Sequence, residues 1–170
     1  VDDLTYTYKI REGVKFSDGS DLTMDDVLYS LNRVREDAYG MSYLFEHVDS
    51  FEVDERTRTL TVHLTQPDST WKYVPATTPC QILKKSVVEA EGDAYGTNEG
   101  SVVGTGPYKF VSWAADSQIV LEKNEYWWGG ADNLAIDKIN FYVMKDASTI
   151  ALAVKSGTID FAPGITNDVL

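Results

Sequence analysis

The sequence is poor in the residues that build covalent or metal-bound chemistry. One cysteine, Cys80, among 170 residues rules out an intrachain disulfide and any multi-cysteine metal site. The two histidines, His47 and His63, have no other Cys or His at ligand spacing. Cations are scarce too: 15 Lys and Arg stand against 27 Asp and Glu, a net charge of −12. That balance argues against nucleic acid or an anionic membrane surface as partner, since phosphate binding relies on clustered Lys and Arg. No apolar run approaches the ~18 residues of a membrane span. Val1-Asp2-Asp3 is neither basic nor apolar, so it is no signal segment, and the chain reads as a fragment of something longer. Hydrophobic residues are not lacking. At 43%, with 12% aromatic, they suffice for a core and argue against disorder.

The hydrophobic pattern predicts alternating strands and short helices. Leu4 to Ile10 alternates with the period of a half-buried strand, and Ser17 to Ser20 reads as a turn in which Gly19 takes a left-handed position. Thr23 and Asp26 form a capping-box-like start to a helix ending near Arg35, with Met24, Val27, Leu28, Leu31 and Val34 as its apolar stripe. Strands follow at 48–54 and 59–65, then a short helix at 70–78 made doubtful by Pro75, and a helical stretch from Lys85 to Glu91. Gly92 to Gly100 is the best linker candidate. Beyond it the pattern predicts a hairpin of 106–114 and 118–123, an aromatic glycine-rich loop, a strand at 136–144 and a helix capped by Asp146. A last strand, Ile159 to Phe161, would complete a βαβ crossover. The class is α/β (α+β), with mixed β-sheets and flanking helices.

Several motifs invite a chemical reading. SVVGTGPYKFVSW, residues 101–113, carries Gly104 and Gly106 before Pro107. A dinucleotide turn needs a third glycine three residues on and a helix afterwards. Here that position is Lys109 and an alternating strand follows. The glycines are instead expected to let the chain pass tightly against neighbouring backbone, with Pro107 where no ladder donor is required. Asp18, Asp21, Asp25 and Asp26 lack the spacing of a calcium loop and are explained by turn and cap chemistry. No Gly-x-Ser-x-Gly elbow is present. With 27 acidic residues carboxylate pairs always exist, so composition neither supports nor removes glycoside chemistry. Tyr39, Tyr43, Phe45, Trp71 and Tyr73 read either as the wall of a ligand cleft or, by general burial tendency, as core.

Five blocks in order resemble the family-5 extracellular solute-binding proteins of ABC importers, the oligopeptide, dipeptide and nickel binders. They are Tyr6 to Gly19, Leu22 to Leu31, Val103 to Phe110, Ile119 to Trp127 and Ser156 to Asp160. The resemblance implies a fragment of the periplasmic-binding-protein-like class II fold. Residues 1–101 would be the smaller lobe and 102–170 a partial segment of the first lobe, with the opposing lobe absent. It also implies a non-enzymatic, monomeric protein without cofactor or metal, held outside the membrane by a lipid anchor, which passes short peptides to a membrane permease. Nickel, haem and sugar binders share the same framework blocks, and a hydrolase using an acidic pair is the alternative from another class. The family's smaller lobe turns a side chain toward the ligand from the loop after its first helix. That places the expected contacts at Tyr43, Tyr39 and Met41.

Overall fold

A computed structural model describes residues 3–36 and 40–164. In chain order the regular elements are β1 (Thr5–Lys9), α1 (Met24–Arg35), β2 (Val48–Asp54), β3 (Thr59–Leu64), α2 (Lys85–Glu91), β4 (Tyr108–Ala114), β5 (Gln118–Lys123), β6 (Lys138–Tyr142) and α3 (Ala147–Lys155). Short 3₁₀ turns lie between them, notably Ser42–Phe45 and Trp71–Ala76.

The strands form two separate sheets, ordered β1-β3-β2 and β4-β5-β6. Every pairing within them is antiparallel. The α/β (α+β) class holds, but among the described residues no parallel pair makes either sheet mixed. β3 sits centrally in the first sheet and buries Leu60, Val62 and Leu64 in strict alternation, the period expected of a strand with one face on a core. α1 lays Met24, Val27, Leu31 and Val34 against this sheet's core. Phe16, Phe45 and Trp71 close it from the connecting segments, and Val48 from β2. Each such side chain taken fully from water contributes roughly 1.5–3 kcal/mol.

α1 begins as its sequence demands. The Thr23 hydroxyl accepts from the Asp26 backbone N–H at 3.1 Å, and the Asp26 carboxylate accepts from the Thr23 N–H at 3.0 Å. The same carboxylate also accepts the Lys85 N–H at 3.0 Å, so one acid caps α1 and satisfies the first turn of α2. This shifts the buried arc of α1. Asp26 and Ser30 are buried while Leu28 is only half-buried. Ser30 accepts the Leu83 N–H at 2.8 Å, which ties the segment before α2 to that side of the helix.

The 92–107 connection carries the chain between the sheets. The Gly104 carbonyl accepts from the Ser17 N–H at 2.9 Å. The Gly106 carbonyl accepts from the Asn124 side-chain amide at 2.8 Å, and the Pro107 carbonyl from the Asn124 N–H at 2.9 Å. The expected tight backbone passage is not what holds this stretch. A Cβ at Gly104 or Gly106 would meet nothing within 4 Å, and neither has a positive φ. Its carbonyls anchor it instead. A true steric requirement falls on Gly19, at φ +86°, where a Cβ would stand 3.0 Å from the Tyr126 ring. The aromatic loop touches the first half once more where the Arg11 guanidinium lies 4.5 Å from the Trp128 ring centroid.

The end of the described chain differs from its pattern. β6 is shorter than the alternating run 136–144. Residues 159–161 form no strand, so α3 does not complete a βαβ unit. A strand needs a ladder partner for its N–H and C=O groups. The Thr158 and Ile159 N–H groups turn back to the Ala153 carbonyl, and Phe161 stands out in solvent.

Candidate functional site

The loop after α1 carries the residues expected to face a ligand. Tyr39 lies outside the described residues. Met41 and Tyr43 share one turn: the Met41 carbonyl accepts from the Leu44 N–H at 3.1 Å, and the Tyr43 carbonyl from the Glu46 N–H at 3.3 Å. A 3₁₀ turn with about three residues per turn separates the directions of neighbouring side chains widely. Phe45 accordingly points inward and is buried, whereas Tyr43 is 65% exposed and Met41 37%. Phe45 meets Trp71 edge-on at 5.4 Å and Phe51 at 5.9 Å between centroids. Such T-shaped pairs stabilise beyond simple area burial.

The aromatic group of the sequence therefore divides. Phe45 and Trp71 belong to the core, while Tyr43 and Tyr73 are exposed. Tyr73 carries the Lys72 ammonium 4.9 Å from its ring centroid. Trp71 and Tyr73 stand two residues apart in the 3₁₀ turn Trp71–Ala76, so their side chains leave it in different directions.

Neither Met41 nor Tyr43 is among the residues that line the groove between α1 and α2. This shallow groove of about 390 Å³ is lined by residues including Asp25, Tyr29, Arg33, Glu36, Lys85 and Glu89. Lys85 closes part of it by pairing with Asp25 at 2.9 Å. The other acids of that cluster also have structural partners. Asp18 accepts from the Ser20 N–H at 3.0 Å and pairs with Lys84, and Asp21 pairs with Lys15 at 2.6 Å. Burial acts to raise the Asp18 carboxyl, but the Lys84 ammonium and the Ser20 donors outweigh it and hold the pKa down to about 2.

The titrating groups that depart from ordinary values do so for structural reasons. Donated hydrogen bonds lower Asp54, Asp68, Glu91, Glu125 and Asp146, the donors being Thr57, Thr70, Ser101, Lys109 and Thr149 in turn. A glycosidic general acid requires a raised carboxyl, and these move the other way. Burial pushes the Cys80 thiol up, against a weaker lowering contact from the Thr77 hydroxyl. A raised thiol is the opposite of an activated nucleophile. His63 is half-buried, with its Nε2 3.6 Å from the Glu52 carboxylate. Among the described residues no group of three or more His, Cys, Asp or Glu side chains comes together as a metal site. Among them, too, no helix is long and apolar enough to cross a membrane.

Known proteins share this chain's sequence and fold along nearly its whole length. The family model for the middle region of bacterial extracellular solute-binding proteins, family 5, matches residues 1–170. The dipeptide-binding protein DppE of Bacillus subtilis is 26% identical over 177 residues, covering 95% of this chain and 32% of the relative. The glutathione-binding protein GsiB of Escherichia coli K12 is 30% identical over 164 residues, covering 95% of this chain and 31% of the relative. The substrate-binding domain of an oligopeptide ABC transporter from Bacillus anthracis superposes with a TM-score of 0.84 at 25% identity, over 95% of this chain and 34% of that one. The chain thus spans about a third of the length of the relatives it matches. By its sequence and its fold it belongs to the family-5 bacterial extracellular solute-binding proteins.

Proposed function

We propose that these 170 residues are part of the substrate-binding component of an ABC importer, which captures short peptides outside the membrane and delivers them to the permease. The observation that carries this reading is the match to the family along the whole chain, with relatives named for dipeptide and glutathione binding. Residues 1–101 act as the smaller lobe and residues 102–170 as part of the first lobe, while an opposing lobe completes the cleft. The protein works without catalysis, as a monomer, lipid-anchored on the outer side of the membrane. A net charge of −12 disfavours nucleic acid as partner.

Tyr43, Met41 and Tyr39 form this lobe's contribution to the cleft. Tyr43 offers an apolar ring with a hydroxyl at its edge, which suits a peptide side chain beside a polar backbone. Met41 is unbranched and adapts its shape to different ligands. Closure of the lobes removes water from these contacts.

Isothermal titration of the full-length protein with a dipeptide and with glutathione tests the proposal. Tyr43→Ala is expected to weaken binding by about tenfold or more, the factor that loss of roughly 1.5–3 kcal/mol of ring burial predicts. Because Tyr43 is 65% exposed, its melting temperature without ligand should not change. The 170-residue chain alone should bind far more weakly than the full-length protein. Equal affinity of the two would overturn the two-lobe account, and an unaffected Tyr43→Ala would remove Tyr43 from the cleft.

A further inference from the structure

The lysines of this acid-rich chain nearly all have partners within the fold. Of the ten, seven pair with a carboxylate at 3.6 Å or less. Lys9 donates to the Thr57 carbonyl, and Lys155 lies in the last turn of α3, where the helix dipole favours a cation. Lys72 is the exception. Among the described residues no carboxylate pairs with its ammonium, which lies instead 4.9 Å from the Tyr73 ring centroid. The nearest acid along the chain, Asp68, is already engaged. It accepts the Thr70 N–H at 2.8 Å and the Thr70 hydroxyl at 2.6 Å.

The turn that carries Lys72 is held from beneath. Trp71 and Val74 are buried on either side of Lys72 and Tyr73, which are both exposed. The Thr70 carbonyl accepts the Tyr73 N–H at 2.9 Å, and the Val74 carbonyl accepts the Thr77 N–H at 2.9 Å and its hydroxyl at 2.6 Å. Trp71 also joins this turn to the one that carries Met41 and Tyr43, through its edge-on contact with Phe45. Tyr43 stands two residues before Phe45, and Tyr73 two residues after Trp71. Each of the joined turns thus presents an exposed tyrosine two residues from the joint, and the second adds a cation.

We propose that Lys72, steadied by the Tyr73 ring, receives a carboxylate of the bound peptide. The inference rests on the peptide-binding reading and names the ligand group that this part of the lobe recognises. A chain of net charge −12 surrounds an anionic ligand group with a repulsive field, so holding that group takes a local cation. Lys72 supplies one without first breaking an ion pair of its own. A cation and an aromatic ring attract weakly in water and more strongly once desolvated. Closure of the lobes over a peptide strips water from ammonium, ring and carboxylate together, which strengthens both attractions.

Calorimetric titration of the full-length protein tests it with alanylalanine, with its C-terminal amide, and with the C-terminal amide of alanylglutamate, whose carboxylate is on the side chain. Lys72→Gln should weaken at least one of the two carboxylate-bearing probes about tenfold and leave alanylalanine amide within about twofold. The probe that loses affinity shows whether the recognised carboxylate is terminal or on a side chain. Lys72→Arg should restore most of the loss. The affinity of that probe should fall with added salt in the wild type and hardly at all in Lys72→Gln. Melting without ligand should be the same in every variant, because Lys72 is exposed. Equal losses for all the probes, or a loss for none, overturns the inference and leaves the peptide reading standing. If the wild-type protein binds none of them, the peptide reading fails and this inference fails with it.

Discussion

Replacing Asn124 is the sharpest perturbation of the link between the two sheets. Its side chain is fully buried. It donates to the Gly106 carbonyl at 2.8 Å and accepts from the Tyr126 N–H at 3.0 Å. Asn124→Ala removes two hydrogen bonds worth about 1 kcal/mol each and leaves a carbonyl and an N–H to find water in a confined space, for a total of about 2–4 kcal/mol. In a chain of this size that corresponds to a fall in melting temperature of roughly 5–15 °C. Asn124→Asp keeps the acceptor for Tyr126 but turns an oxygen toward the Gly106 carbonyl. Burial and that facing oxygen raise the carboxyl's folded pKa above its unfolded value of about 3.9. A carboxyl raised in this way is harmless below the unfolded pKa, where it is protonated and can donate. It destabilises increasingly as pH rises, until the folded pKa is passed. Urea denaturation of the three proteins from pH 4 to pH 8 reads both effects. Asn124→Asp should approach the wild type near pH 4 and fall below Asn124→Ala by pH 8. A loss under about 0.5 kcal/mol for Asn124→Ala, or a pH-independent deficit for Asn124→Asp, would refute the role assigned to this side chain.

The glycines give a complementary test by thermal denaturation. Gly19→Ala should cost about 1–2 kcal/mol for its left-handed backbone alone, with displacement of the Tyr126 ring added. Gly104→Ala and Gly106→Ala, which meet open space, should stay within about 0.5 kcal/mol. Acid should weaken the fold partly through Asp18, whose pKa is held at about 2. A carboxyl depressed in the folded state contributes stability that is complete above its unfolded pKa and is lost as pH falls toward the folded one. The window is therefore about pH 4 to pH 2, and since Asp18 is partly exposed the loss is at most about 1 kcal/mol after screening. Asp18→Asn should flatten that part of the acid limb, and an unchanged slope would remove Asp18 from the account.

Local chemistry was legible where a few neighbouring residues decide the outcome. Thr23 and Asp26 announce the start of α1, Lys85 to Glu91 matches α2, and the alternation of Leu60, Val62 and Leu64 marks β3. Long-range partners decided the rest. Nothing local in Ser30 or Asp26 shows that Leu83 and Lys85 will bond to them, so the buried arc of α1 was displaced toward Leu28 in the sequence reading. Ile159 to Phe161 has the alternation of a strand but no ladder beside it. Gly104 and Gly106 looked sterically required because glycine before a strand often is. Their carbonyls carry the connection instead, and carbonyls are common to every residue and invisible in a sequence. At the candidate site, Met41 and Tyr43 are exposed, and Tyr39 lies outside the described residues.

The exposure of Tyr43 gains meaning from what holds it. A large aromatic side chain in water contributes little to folding, yet this one projects from a turn whose next-but-one residue, Phe45, is locked between Phe51 and Trp71. The backbone beneath Tyr43 is thus fixed by the core before any ligand arrives. Ordering a loop or a long side chain on binding costs about 0.5–1.5 kcal/mol per immobilised group, and a turn already anchored avoids most of the backbone share. Met41, on the same turn, is 37% exposed. Under the proposed function, a firm ring beside an unbranched thioether would suit a surface that takes peptides of varying side chain. Loosening the anchor with Phe45→Leu should therefore weaken ligand binding even though Phe45 itself, being buried, touches no ligand.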